Sequence, residues 1–316
     1  MSPRQTSSVD WTNLVFLAAV HLVGVVGSAL YLVLARPSIA LLALAAVSTV
    51  VTIFAISAGY HRLFSHRAYE AHPLVRLFFL IFGASAFQTS ALTWSANHRR
   101  HHARTDTPDD PYSVRRGFWH AHVGWVLEMT PSPLDATPAR DLQADPLVRW
   151  QHRHFVLIAA LAAFGLPLLA GVALGDVWGG LLLVGFGRLV FVYQVTFAVN
   201  SLAHRLGSQP YSNRESSRDS FWCALVTMGE GYHNYHHTFP GDYRNGVRSY
   251  HFDPTKWIVY SLSKVGLARN LRRTPAKAIE RARARMRAQH QPAAPQRSLL
   301  AELTADAQMA PSSSTS

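Results

Sequence analysis

The chain has 316 residues, of which 49% are hydrophobic and only 15% charged, well short of the roughly 25% charged that soluble domains average. Lys and Arg outnumber Asp and Glu by 30 to 18, a formal balance of +12. In so apolar a chain that excess suits an anionic lipid surface better than nucleic acid, and a single cysteine, Cys223, excludes an internal disulfide and a cysteine-ligated zinc or iron–sulfur site.

In chain order, residues 1–13 form a short N-terminal segment. Residues 14–35 are uncharged and broken only by His21, and residues 38–58 follow across the tight Arg36-Pro37 join. Each run is long enough to cross ~30 Å of hydrocarbon, which takes roughly 20 helical residues. The two read as a helical hairpin, with His21 expected to hydrogen-bond a neighbouring helix. A signal peptide does not fit, because the first run is too long, lacks a clear cleavage site and leads straight into the second. Residues 74–94 read as one helix lying in, or dipping into, the membrane surface. LFFLIF at 77–82 is apolar, but Ser85, Gln88, Thr89 and Ser90 follow. The competing reading, a fifth span, would put the histidines on either side of it across the membrane from one another. Trp119, Trp125 and Trp150 suit an interfacial position.

Residues 155–175 and 177–199 make a second hairpin. Arg188 sits within its second arm, where a charge is costly and usually faces the bundle interior; it is expected either to snorkel or to bind a group lining that interior. Arginines crowd residues 62–153 and the chain after His204, whereas the hairpin joins carry one between them. Positive-inside bias therefore predicts that the polar regions and both termini face the cytoplasm of a cell-membrane protein. Residues 14–275 are read as one unit. Within the tail, 276–316, residues 276–290 suit a basic helix on anionic lipid or a solvated one, and the Pro-, Ala-, Gln- and Ser-rich remainder suits disorder. The expected fold is an all-α integral membrane protein: four spans in two hairpins, with a cytoplasmic helical cap carrying a histidine-rich site.

Nine histidines fall in four clusters: His61 and His66; His98, His101 and His102; His204, four residues after Asn200; and His233, His236 and His237. Neutral imidazole is a common ligand for iron, zinc and copper, and nine imidazoles with one amide suit two ions better than one. Spacings of three and four share a helical face. His61 and His66, five apart, do not, so the helix is expected to end or unwind near Phe64. One such cluster reads as surface polarity. Four of them, all at the same ends of the spans, read as one convergent metal site. Asp106, Asp109, Asp110, Asp219 and Glu230 are candidates to fix the imidazole tautomers, with His122 as a further neighbour.

At these residues the chain resembles the membrane fatty-acid desaturases of the stearoyl-CoA type. The matching motifs are HRLFSH at 61–66, HRRHH at 98–102, DDPYSVRRGFWHAHVGW at 109–125, NSLAH at 200–204 and GEGYHNYHH at 229–237, and the resemblance runs from about residue 40 to 270. It implies a four-span membrane enzyme with a non-haem di-iron (Fe2+) site. The ligands would be His61, His66, His98, His101, His102, His204, His233, His236 and His237, with Asn200 acting through water. It implies removal of two hydrogens from a saturated acyl chain with O2 and two external electrons, by default between carbons nine and ten. Gln88, Trp94 and Thr196 fall at the bend of the family's acyl tunnel. The positions that would hold CoA carry Thr89, Ala96, Asn97, Met129 and Thr130, none a cation. Arg99, Arg100, Arg115, Arg116 and Arg153 are nearby substitutes, so CoA and a lipid carrier both stay open. No cytochrome b5-like haem segment is present in this sequence. A separate electron donor is therefore expected, a ferredoxin, cytochrome b5-like protein or flavoprotein reductase whose acidity would match the basic balance. A hydroxylase on the same scaffold is the nearest alternative. A metal transporter is more remote, since it would need its ligands inside the spans.

Overall fold

A computed structural model of the chain describes residues 8–128 and 139–290. The positions of Met129 and Thr130, most of the N-terminal segment and the tail expected to be disordered lie outside the described residues.

Helices α1 (Trp11–Leu34), α2 (Ile39–Ser65), α6 (Phe155–Ala173) and α7 (Val177–Ser201) are long and apolar enough to cross a membrane, and they mark a membrane protein. Between α2 and α6 lie α3 (Pro73–Ala84), α4 (Ala91–Arg104) and α5 (Pro146–Arg153). After α7 come α8 (Phe221–Val226), α9 (His233–Thr238), α10 (Pro254–Lys264) and α11 (Ala276–His290). A two-strand antiparallel ribbon pairs β1 (Glu70–Ala71) with β2 (Ala268–Arg269). Three of the four spans, α1, α2 and α7, begin on a short polar side chain that satisfies free N–H groups at the helix start. Asp10 accepts from Asn13, Ser38 from Leu41 and Asp176 from Gly179.

Helix α7 is the hub. Among the four spans, the other three each pack on it rather than on one another. Its most apolar stretch is 56% buried, against 22–28% for theirs. Small residues permit the close approach, as expected where lipid supplies no hydrophobic drive between helices. A Cβ on Gly24 would lie 2.5 Å from Val190, and one on Gly180 would lie 2.8 Å from Gly171. His21 does reach a neighbouring helix: its Nε2 lies 3.1 Å from Gln194 of α7.

Three expectations need correction. Residues 74–94 are not one helix. α3 stops at Ala84, and α4 restarts at Ala91 on a Ser90 cap. Between them Phe87 (φ 52°) and Thr89 (φ 85°) adopt the left-handed region, which no helix continues through and which a β-branched residue rarely enters. Secondly, α2 does not stop at residue 58; it ends close to Phe64, as the histidine spacing predicts. It runs on to Ser65 with π winding over Ala55–Ser65, packed tightly on α3: a Cβ on Gly83 would lie 2.3 Å from the Tyr60 ring. Thirdly, α11 is not a wholly solvated helix, because one of its faces packs on the protein. Ile279 and Ala282 are buried with Tyr211 and Tyr235, and Arg283 donates to the Tyr211 hydroxyl at 2.8 Å. Trp119 is 71% exposed, whereas Trp125 lines an internal cavity.

Candidate metal centre

The nine histidines converge as two groups. His61, His66, His98, His102 and His236 form one; His101, His204, His233 and His237 form the other. Within each, one ring nitrogen per residue lies within 4.8 Å of all the others. The Nε2 atoms meet: His66 and His98 at 2.8 Å, His61 and His236 at 2.9 Å, His204 and His233 at 3.1 Å. Helices α4 and α9 each serve both groups. α4 turns His98 and His102, four apart, to the first and His101 to the second. α9 turns His236 to the first and His233 and His237, four apart, to the second. His61 and His66 join through the π winding. The His66 N–H donates to the His61 carbonyl at 3.1 Å, an i→i+5 bond that stacks residues five apart.

Four of the outward nitrogens are held by acceptors, which fixes the tautomer and aims the Nε2 lone pairs inward. His61 Nδ1 meets Glu230 at 3.0 Å, His101 Nδ1 meets Asp110 at 2.8 Å, and His237 Nδ1 meets Glu215 at 2.8 Å. His204 Nδ1 meets Ser216 Oγ at 2.8 Å, and that hydroxyl donates onward to Asp106 at 2.7 Å. Glu230 is itself fixed by Arg62 at 2.9 Å, by Asn245 at 2.7 Å and by the Ser57 hydroxyl. Burial alone would raise the Glu230 carboxyl, but His61 and Arg62 hold it well below the usual carboxylate range. Desolvation pushes His66, His98, His102, His204, His236 and His237 well below the ordinary imidazole value, and His233 to about 3. These seven rings are thus neutral and ready to coordinate. No carboxylate belongs to either group, so nine inward imidazole nitrogens suit two ions of iron, zinc or copper.

Of the acidic residues expected to orient the rings, Glu230 and Asp110 do so directly and Asp106 through Ser216. Asp219 instead accepts from the Tyr235 N–H at 2.9 Å, and Asp109 is exposed. Glu215 and Ser216 escaped sequence reading because they lie in an irregular turn with no periodicity to flag them. His122 does not join the site. Its nitrogens meet Ser201 at 2.9 Å and Gln194 at 3.1 Å.

A cavity of about 550 Å³ opens beside both groups and runs between α1, α2 and α7, within the range of ligand pockets. His61, His98, His101 and His233 form part of its wall, with Asn200 alongside. Gln88, Trp94 and Thr196 also line it and are bonded together. Gln88 donates to Thr196 at 2.8 Å, and the Trp94 indole donates to Gln88 at 3.3 Å. Ile53, Ile56, Phe87, Val192 and Tyr193 make the far part apolar, while Asn97, Arg100, Asn13 and Glu128 line the near part. Thr89 lines it as well; Ala96 is buried elsewhere. Arg100 is the lining cation. Arg99 is engaged with Asp141 at 2.6 Å, Arg116 with Glu128 at 2.7 Å and Arg115 with Asp106 at 3.8 Å, and Arg153 lies on a separate groove.

Fold and site together define a helical membrane protein in which paired all-histidine groups face a long, mostly apolar cavity. The sequence profile of the fatty acid desaturase family matches residues 37–270, and the chain belongs to that family. It is 51% identical over 228 residues to a probable acyl-CoA desaturase of Schizosaccharomyces pombe, covering 72% of this chain and 48% of the relative. It is 49% identical to acyl-CoA desaturase 1 of Saccharomyces cerevisiae, covering 72% and 45%. The chain thus spans about half the length of these fungal relatives. Against stearoyl-CoA desaturase 5 of Homo sapiens it is 35% identical over 291 residues, covering 89% of this chain and 86% of the relative.

Proposed function

We propose that the protein is a di-iron acyl desaturase that introduces a cis double bond into a saturated fatty acyl chain, by default between carbons nine and ten. The observation that carries this is the opening of both imidazole groups onto one apolar cavity. One saturated chain, O2, two electrons and two protons give one unsaturated chain and two waters. An unactivated methylene pair offers no acid or base handle, so a redox-active iron pair with O2 supplies the chemistry that side chains lack.

The chain's own residues bind and orient. His61, His66, His98, His102 and His236 would hold one iron. His101, His204, His233 and His237 would hold the other, with Asn200 reaching it through water. The Gln88–Thr196–Trp94 set would bend the acyl chain so that one methylene pair lies beside the imidazole groups. The apolar wall of Ile53, Ile56 and Val192 would hold the rest dry. Arg100, with Asn97, would meet the polar head. That cation, together with the names of the relatives, favours acyl-CoA over an acyl lipid. The electrons would come from a separate ferredoxin, cytochrome b5-like protein or flavoprotein reductase. The arginine distribution supports a cell-membrane position with the site and both termini in the cytoplasm.

Expression in a host unable to make unsaturated fatty acids tests the reading. Gas chromatography should find a new monounsaturated acid and locate its double bond and carrier. His101→Ala and His236→Ala should each insert normally and yield none. Product yield equal to wild type from either variant would remove these residues from the ligand set, and an alcohol in place of the alkene would make the protein a hydroxylase.

A further inference from the structure

The lining of the cavity ends at one level. On α2 it descends through Ser57 and Ile56 to Ile53; on α7 it descends from Asn200 to Val192. One helical turn past Val192 stands Arg188, 3% exposed. Its Nε donates to the Val184 carbonyl at 2.9 Å, and Nη1 donates to Thr52 Oγ1 at 2.9 Å. Nη1 also reaches the Ser85 carbonyl at 3.2 Å and hydroxyl at 3.4 Å, while Nη2 reaches the Ala163 carbonyl at 3.4 Å. Thr52 and Ser85 bond each other at 3.1 Å. Thr52 adjoins Ile53, and Ser85 lies two residues before Phe87, so each partner of Nη1 backs a residue of the cavity's far end. The guanidinium ties α2, α6, α7 and the turn between α3 and α4 at this level.

Resting on the acyl-chain reading above, we propose that Arg188 is a specificity-determining residue. With Thr52 and Ser85 it forms a polar floor that ends the acyl cavity and sets the longest chain the protein accepts. A floor of apolar side chains can repack and admit more methylenes. Arg188 cannot yield that way. Its planar fork is fixed by acceptors on four elements, and a chain end driven past it would strip a buried charge of partners with no water to replace them. The floor therefore gauges total chain length. The position of the double bond, counted from the head, is set at the other end by the imidazole groups and Gln88, Trp94 and Thr196.

Two measurements test this. Thermal melting of the metal-loaded wild-type protein without reductant, with saturated acyl-CoA probes of stepwise increasing length, reads binding independently of turnover. Protection should rise with each added carbon and then fall abruptly. A smooth rise without a cut-off overturns the floor. In Arg188→Met the cut-off should move to longer chains, with the relative affinity for a chain two methylenes beyond the wild-type limit raised about tenfold. The double bond should keep its distance from the carboxyl end. An unchanged cut-off, or the same loss at every length, overturns the proposal. If Arg188→Met does not insert, Arg188→Gln carries the same two outcomes. A sharp cut-off in a protein that forms no double bond supports the floor while removing the desaturase reading, so the two fail separately.

Discussion

At the scale of single residues, the site depends on acceptors that hold the imidazole nitrogens turned away from the convergent Nε2 atoms. Glu230 illustrates the point. It receives His61 Nδ1 and is held in turn by Arg62, Asn245 and Ser57. Such outer partners usually matter about 10- to 100-fold in metal affinity. Glu230→Gln should therefore weaken the first group by that order, and Glu215→Gln the second, each with far-ultraviolet circular dichroism unchanged. Iron retained per protein after dialysis against a chelator measures this; full retention in both variants would show that the inward imidazoles suffice alone. The imidazoles themselves were legible in the sequence, since three- and four-residue spacings name a helical face. Their acceptors were legible only in part. Asp110 and Glu230 flank histidine motifs, but Glu215 and Ser216 reach the site through the course of a turn, which no periodicity encodes.

At the scale of elements, α11 lies outside the stretch matched to the family yet supports its chemistry. Ile279 and Ala282 close over Tyr211 and Tyr235, and Tyr235 sits between the histidines of α9. Ile279→Ala should cost about 2–4 kcal/mol, as buried truncations do, seen as a lower melting temperature in detergent. Leu169→Ala on the outward face of α6, 65% exposed, should barely move it. Equal effects would return α11 to a surface role. Composition alone left this helix between lipid and water, because its cations are conspicuous and its buried face is only a few residues wide. The break at residues 85–90 was equally hidden. Positive φ at Phe87 and Thr89 is a tertiary outcome, and neither residue type advertises it.

At the scale of the whole molecule, the four spans were legible because a charge-free run of roughly 20 residues has few other fates. Which span packs on which was not, and the central place of α7 emerged only from the structure. The proposed sidedness can be checked on the native background, since Cys223 is 5% exposed and should react slowly. Arg36→Cys and Leu174→Cys should label with a membrane-impermeant maleimide from the outside of cells. Arg269→Cys should label only in inverted vesicles. Labelling of all three from one side would overturn the topology.

The π winding of α2 acts as a phase shifter. Ile53, Ile56, Ser57 and His61 keep the cadence that lines one side of an α-helix, and His66 then rejoins that side after five steps rather than four. Deleting one residue between His61 and His66 would restore ordinary winding and keep the two imidazoles stacked. Without that deletion, ordinary winding of the intact segment would turn His66 about 100° further around the axis than it now stands, out of the first group. The extra residue lets a single rod present a dry wall along one part of its length and two metal-facing rings along the next.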